Sequence, residues 1–178
     1  FSADGEWMAS GDIDGRILSW HVADQQILHG HTARARTVDV SPDGATLISA
    51  GFDSNLGVWD AESGALLHML PINRPNAVIN AIYSPDGNTA VSGEGGGALI
   101  FWDTQTWTQR KVITDAHEDV IIGLAFSPDS RILATGDFAG VIRLWDVATA
   151  EPIGDPIDAH VWWALSLAFS PDGSILAS

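Results

Sequence analysis

Short apolar runs separated by turn residues extend along the whole chain. Ile121 to Phe126, Ile132 to Thr135 and Val141 to Trp145, for example, are divided by Ser-Pro-Asp-Ser and Gly-Asp-Phe-Ala-Gly. The runs are rich in β-branched, aromatic and aliphatic residues and are too short for a helical face, so the pattern predicts strands. The punctuation is periodic. Ser41-Pro42-Asp43-Gly44 returns as Ser84-Pro85-Asp86-Gly87, as Ser127-Pro128-Asp129-Ser130 and as Ser170-Pro171-Asp172-Gly173, and a degenerate Ser2-Ala3-Asp4-Gly5 opens the chain. The first serines of successive copies lie 39, 43, 43 and 43 residues apart, and Trp20, Trp59, Trp102 and Trp145 keep the same steps.

Two markers on one period define a structural repeat. In the tetrapeptide, Pro presets φ, Asp bonds nearby amides and Gly tolerates positive φ, which predicts a tight turn between the first two strands of a unit. A second turn, seen in Gly11-Asp12-Ile13-Asp14-Gly15, Gly51-Phe52-Asp53 and Gly136-Asp137-Phe138-Ala139-Gly140, leads to the Trp-bearing third strand. A fourth, less regular strand follows. Four short antiparallel strands per repeat make the blade of a β-propeller, in which each sheet covers its neighbour's apolar face. The expected fold is therefore all-β, with complete blades at 30–72, 73–115 and 116–158 and partial blades at 1–29 and 159–178. Phe169 to Ser178 aligns with Phe1 to Ser10 position for position, so closing this chain on itself would duplicate a strand; the expectation is a segment of a larger propeller.

A hydrophobic content of 46% against 17% charged residues makes the chain globular. Its net charge of -15 argues against a nucleic-acid backbone or an anionic membrane surface as partner. No apolar stretch approaches the ~20 residues of a spanning helix. The absence of cysteine removes disulfides and thiolate metal sites and fits a reducing compartment, so a cytoplasmic location is expected.

Val58-Trp59-Asp60, Phe101-Trp102-Asp103 and Leu144-Trp145-Asp146, with Gly30-His31 ahead of the first, resemble the WD-repeat β-propeller family over essentially the whole chain. The first unit departs, with Trp20-His21 in place of the pair. The resemblance implies a buried network in each blade, joining the loop histidine, a Ser or Thr of the second strand, an Asp of the next turn and the Trp indole. His31, Ser49, Asp53 and Trp59 match it completely. The first unit retains Ser10, Asp14 and Trp20. The third retains Ser92 and Trp102, with Arg74 and Gly96 at the other two positions, and the fourth retains His117, Thr135 and Trp145, with Ala139 where the Asp is expected.

The same residue types also occur in chemical sites. Ser49, His31 and Asp53 include the members of a catalytic triad, but no nucleophile-elbow pattern surrounds Ser49. His29 and His31 share the spacing of one strand face, and Asp12-x-Asp14-Gly15 echoes the start of a calcium loop, but neither pattern is completed. The run Gly93-Glu94-Gly95-Gly96-Gly97 leads into a strand and so lacks the helix dipole of a phosphate cradle. No catalytic residue, metal or cofactor is expected.

The resemblance implies a non-catalytic scaffold for protein–protein interactions within a larger signalling or regulatory protein. Accessory blades of a protein whose activity lies elsewhere, or a propeller enzyme, are the alternatives. In the family, partners dock where the Gly-His loops emerge. The matching positions are Arg34 and Arg36, Ala77 and Ile79, Val120 and Ile122, Trp163 and Leu165, with Ile13, Phe52, Gly95 and Phe138 from the second turns. Arg34, Arg36, Phe52, Phe138 and Trp163, with Trp162 alongside, are of the types enriched at binding hot spots. Arg34 and Arg36 are two of only eight basic residues, which predicts an acidic partner segment opposite them.

Overall fold

The computed structural model describes residues 7–21, 25–72 and 77–178, with side chains over 9–17, 28–72 and 77–178. The described residues are all-β and contain no helix long and apolar enough to cross a membrane. Contacts divide the chain into two compact units, Phe1–Tyr83 and Ser84–Ser178. The first holds β1 (Trp7–Gly11), β2 (Arg16–His21), β3 (Gln25–His29), β4 (Ala35–Val40), β5 (Thr46–Gly51), β6 (Asn55–Asp60), β7 (Leu66–Pro71) and β8 (Val78–Tyr83). The second holds β9 (Thr89–Glu94), β10 (Leu99–Asp103), β11 (Thr108–Ile113), β12 (Ile121–Phe126), β13 (Ile132–Asp137), β14 (Val141–Asp146) and four two-residue strands. These are β15 (Glu151–Pro152), β16 (Ile157–Asp158), β17 (Ala168–Phe169) and β18 (Leu176–Ala177).

The sheets follow chain order: β1-β2-β3 and β4-β5-β6-β7 in the first unit, and β9-β10-β11, β12-β13-β14-β15 and β17-β18 in the second. The predicted Ser-Pro-Asp-Gly turns join the first two strands of a sheet, and their geometry is shared. In the copy at 41–46, the Ser41 hydroxyl donates to Asp43 Oδ1 (2.6 Å) and accepts the Thr46 amide (2.9 Å), while Gly44 adopts φ 72°. At the matching position of the third copy Ser130 takes φ 62°, a left-handed conformation that costs a side-chain-bearing residue energy. Its hydroxyl accepts the amide of Asp86 (3.0 Å), a bond glycine could not make. In the last copy Asp172, held by the Ser170 hydroxyl and by Ser174, is lowered to about 2.

The core of the first unit gathers Ile17, Leu28, Ala35, Val40, Leu47, Trp59 and Ala61, so it is shared between the β1–β3 sheet and the β4–β7 sheet. β4 and β5 also pack on β8. There the Asp39 carboxylate accepts the Tyr83 amide (2.8 Å), and Thr46 bonds the Tyr83 hydroxyl (2.8 Å). Burial raises the Asp39 pKa despite that bond.

In the second unit the apolar contact runs through Ala125, Ala134, Ile142, Ala164 and Leu167. Gly136 makes this packing possible, because a Cβ there would lie 2.7 Å from both the Cβ and the carbonyl oxygen of Ala164. The outermost strand of this sheet is split. β15 pairs with β14 at Trp145–Asp146 and β16 pairs with it at Val141–Ile142, with Pro152 and Pro156 flanking the gap. Proline has no N–H to give to a ladder, which confines it to sheet edges and interruptions.

Candidate functional site: the histidine network and the loops it holds

Each of two sheets contains a chain of side-chain hydrogen bonds that starts at a strand and ends in a loop. In the β4–β7 sheet, Trp59 Nε1–H donates to Ser49 Oγ (2.8 Å), Ser49 Oγ lies 2.7 Å from His31 Nε2, and His31 Nδ1 lies 3.0 Å from both oxygens of Asp53. The Asp53 carboxylate can only accept, so Nδ1 carries the proton and Nε2 accepts the Ser49 hydroxyl. The same carboxylate takes the amides of Thr32 (2.8 Å) and Asn55 (3.2 Å), fastening the histidine loop to the turn after β5. Burial pushes the Asp53 pKa up, but the Thr32 amide and the His31 ring outweigh it and hold the group below the ordinary carboxylate value.

This arrangement contains the atoms of a Ser-His-Asp triad without its access. Ser49 is fully buried and its oxygen already accepts the indole N–H. Even a Cβ on Gly57 would approach that oxygen to 2.7 Å, so no room exists for a substrate carbonyl.

In the β12–β16 sheet, Trp145 Nε1–H donates to Thr135 Oγ1 (2.9 Å), which lies 2.6 Å from His117 Nε2, and His117 Nδ1 meets Asp137 Oδ2 at 2.7 Å. The fourth unit, expected to lack its Asp because Ala139 stands at the spacing of Asp53, is therefore complete. Its carboxylate comes from the last residue of β13, two positions after the hydroxyl instead of four. Gly51 occupies that position in the other sheet, where a Cβ would sit 2.9 Å from His31 Nδ1 and 3.1 Å from Asp53 Oδ1. Either position can aim a carboxylate at the histidine, and the other must then be small. Burial lowers the His117 pKa, with the Arg143 charge adding to it, against the opposing pull of Asp137.

The remaining predicted members divide. Trp102 Nε1–H donates to Ser92 Oγ (3.0 Å), so that pair is joined; Arg74 lies outside the described residues. Asp14 is not drawn into a buried set. Its exposed carboxylate is held by Arg16 (3.0 Å), and Arg16 also closes on Asp12 (2.7 Å), so a cation from the chain occupies the turn that echoed a calcium loop. Ser10 is exposed, and the Trp20 side chain lies outside the described residues. His29 is exposed while His31 is buried, so the two do not converge. Among the described residues no group of three or more His, Cys, Asp or Glu could hold a metal ion. A further pair was missed: His160 Nε2 and Ser178 Oγ lie 2.8 Å apart, at the repeat spacing from His117 and Thr135.

The networks hold the loops that carry the predicted contact residues. The Phe52 amide donates to the Arg34 carbonyl (2.9 Å), and the Phe138 amide donates to the Val120 carbonyl (3.1 Å), giving both sheets the same backbone bracket. A break in register between Ala35 and Thr37 makes Arg36 an extra residue in β4, the kind of irregularity that re-aims a side chain. Arg36 and Arg34 are exposed, and the Arg34 guanidinium carbon lies 5.9 Å from the centre of the half-exposed Phe52 ring. Phe138 stacks on Trp163 with centroids 5.0 Å apart, and Trp162 beside it is 76% exposed.

The sequence profile of the WD domain, G-beta repeat, matches residues 1–21, 23–60 and 107–146, together more than half of the chain. Among curated proteins, the chain is similar to a WD repeat-containing protein, SL1-17, of Schistosoma mansoni, at 36% identity over 38% of this chain and 23% of that one. It is similar to the small ribosomal subunit protein RACK1 of Drosophila melanogaster, at 36% identity over 39% of this chain and 22% of that one. It also resembles the eukaryotic translation initiation factor 3 subunit I of Phaeosphaeria nodorum, at 42% identity over 25% of this chain and 14% of that one. The match thus spans less than a quarter of each of these relatives. With the repeated Trp–Ser/Thr–His–Asp networks and four-stranded sheets, the profile match places the chain in the WD-repeat (WD domain, G-beta repeat) family.

Proposed function

We propose that this chain is part of a non-catalytic scaffold within a larger signalling or regulatory protein of the cytoplasm, and that Arg34 and Arg36 receive an acidic segment of a protein partner. The blades of that scaffold are residues 30–72, 73–115 and 116–158, with partial blades on either side. WD-repeat proteins in general form scaffolds that bind protein partners, and two of the similar proteins are named for the ribosome and for translation initiation.

The observation that carries the proposal is a pair of exposed cations with no carboxylate partner among the described residues of an acidic chain. Among the described residues Arg16 and Lys111 are spent on carboxylates, whereas neither Arg34 nor Arg36 has one within ion-pair distance. Arginine presents a planar fork of donors that matches a carboxylate, and the Phe52 ring beneath Arg34 limits the freedom it would lose on binding. In the second unit, Phe138, Trp162 and Trp163 are proposed separately as partner-contact residues.

Affinity capture with this chain as bait, followed by titration with a glutamate-rich peptide, tests the assignment. Arg34→Ala with Arg36→Ala is expected to weaken that binding by about tenfold or more, the scale of losing close charge pairs at an interface. Unchanged affinity would refute it.

A further inference from the structure

We infer that the Phe138–Trp163 stack and the carboxylates beside it form a second site, of opposite charge preference, for a cationic protein segment carrying Lys or Arg. The inference rests on the scaffold reading but concerns the contact residues of the second unit, apart from Arg34 and Arg36, and the opposite kind of partner.

Three features of the second unit converge on it. The first is an exposed aromatic surface. Trp163 is 54% exposed although it stacks on Phe138, and Trp162 beside it is 76% exposed. Tryptophan is among the residue types enriched at the energetic centres of interfaces.

The second feature is charge. The loop that brackets Phe138 through the Val120 carbonyl reads Glu118-Asp119, where the equivalent loop of the first unit places Arg34 and Arg36 around its bracket. Glu118 and Asp119 are exposed. Beside the bracket opens a cleft of about 400 Å³ with Glu118 and Asp158 on its walls and Val141 and Pro156 as apolar lining. His117 and Asp137 are engaged with each other there, and Arg143, the one full cation of the lining, has its Nε buried. Glu118 and Asp158 stand exposed at this place while Arg143 is half-buried, and the chain as a whole carries -15, so an approaching cation is favoured over an anion.

The third feature is an internal precedent. In the first unit the ring of Phe52 is covered by a cation from the chain itself, Arg34, at 5.9 Å. At the Arg34 position of the second bracket stands Val120, so no equivalent cation is supplied. An ammonium or guanidinium group from a partner, set over the exposed indole faces and paired with Glu118 or Asp119, would supply there what Arg34 supplies to Phe52.

Short acetylated and amidated peptides of lysine and alanine, and their glutamate and alanine counterparts, provide the test. They are titrated into the full chain while tryptophan emission and heat are followed. The lysine peptide is expected to bind and perturb the emission, and the glutamate peptide to leave it unchanged. Glu118→Gln with Asp119→Gln should weaken lysine-peptide binding about tenfold, and more at low salt than at high. Trp163→Ala should weaken it comparably, and Trp163→Phe should retain most of it. Arg34→Ala with Arg36→Ala should leave it intact.

Absence of lysine-peptide binding would overturn the inference, as would equal binding of the glutamate peptide or indifference to the Glu118 and Asp119 replacements. A dimer in sedimentation that Trp162→Ala and Trp163→Ala dissociate would also overturn it, by assigning the surface to a second copy of the chain. Loss of glutamate-peptide binding on replacing Arg34 and Arg36, with no lysine-peptide binding at all, would leave the first site standing without the second.

Discussion

The sheets β4–β7 and β12–β16 build the same four-membered hydrogen-bond chain from different sequences. In the first, the carboxylate hangs from Asp53, in the turn and four residues beyond the hydroxyl; in the second it hangs from Asp137, the last residue of its strand and only two beyond. Both meet the histidine Nδ1 at about hydrogen-bond length, and in both the hydroxyl accepts the indole N–H. What is held constant is the place where negative charge is needed, not the residue that carries it. The loops so held differ in the opposite sense. Their backbone brackets are alike, but one presents Arg34 and Arg36 and the other Glu118 and Asp119. A buried polar chain is constrained by the cost of any unpaired member, whereas exposed positions on the same backbone are free to diverge.

The comparison is open to direct attack. The largest effect is expected from the shared hydroxyl. Ser49→Ala or Thr135→Val strands both an indole N–H and a histidine Nε2, and each stranded group costs about 1–3 kcal/mol. Ser92→Ala strands only the Trp102 indole, so it should cost about half as much. Urea unfolding midpoints rank the three, and equal losses would show that the histidine bonds contribute nothing beyond the indole bond.

Asp137→Ala should cost about 1–3 kcal/mol by leaving the buried His117 N–H without its acceptor. If position is interchangeable, as Asp53 indicates, Asp137→Gly combined with Ala139→Asp should recover part of that loss. The reverse transfer, Gly51→Asp with Asp53→Ala, should recover less, because a Cβ at Gly51 already crowds His31. A double variant no more stable than Asp137→Gly alone would break the equivalence.

The smallest effect concerns pH. The His117 pKa is lowered in the folded chain, chiefly by burial, so the unfolded chain binds the proton more readily. Stability is then full above the ordinary imidazole value of 6.5 and declines as pH falls through it towards the folded value. Asp53, lowered below 3.8, adds a loss further into acid, while Asp39, raised above 3.8, acts in the opposite direction there. An NMR titration should place the His117 imidazole below 6.5, and a value at or above it would remove this difference from the free residue.

Much of this was legible in the sequence because the repeat imposes its own register. The serine, proline, aspartate and tryptophan markers located the turns and the third strands, and His31, Ser49, Asp53 and Trp59 came together as the family resemblance implied. Spacing failed where geometry admits two solutions. Counting from Thr135 to Ala139 missed Asp137, since strand β13 runs two residues further than its apolar run and carries the carboxylate on its end. Asp14 stands at the expected distance, yet its carboxylate is exposed and bonded to the neighbouring Arg16.

By itself, then, the sequence determined the strand class, the period and the residue types of each network, because local turn chemistry and alternating apolar runs act over a few residues. Tertiary structure alone decided which acid faces each histidine, that Arg36 falls on a register break and that Gly136 admits Ala164. It also decided that Phe138 stacks on an indole lying 25 residues further along the chain. Such choices turn on distances of a few tenths of an ångström between segments remote in sequence, and no local pattern encodes them.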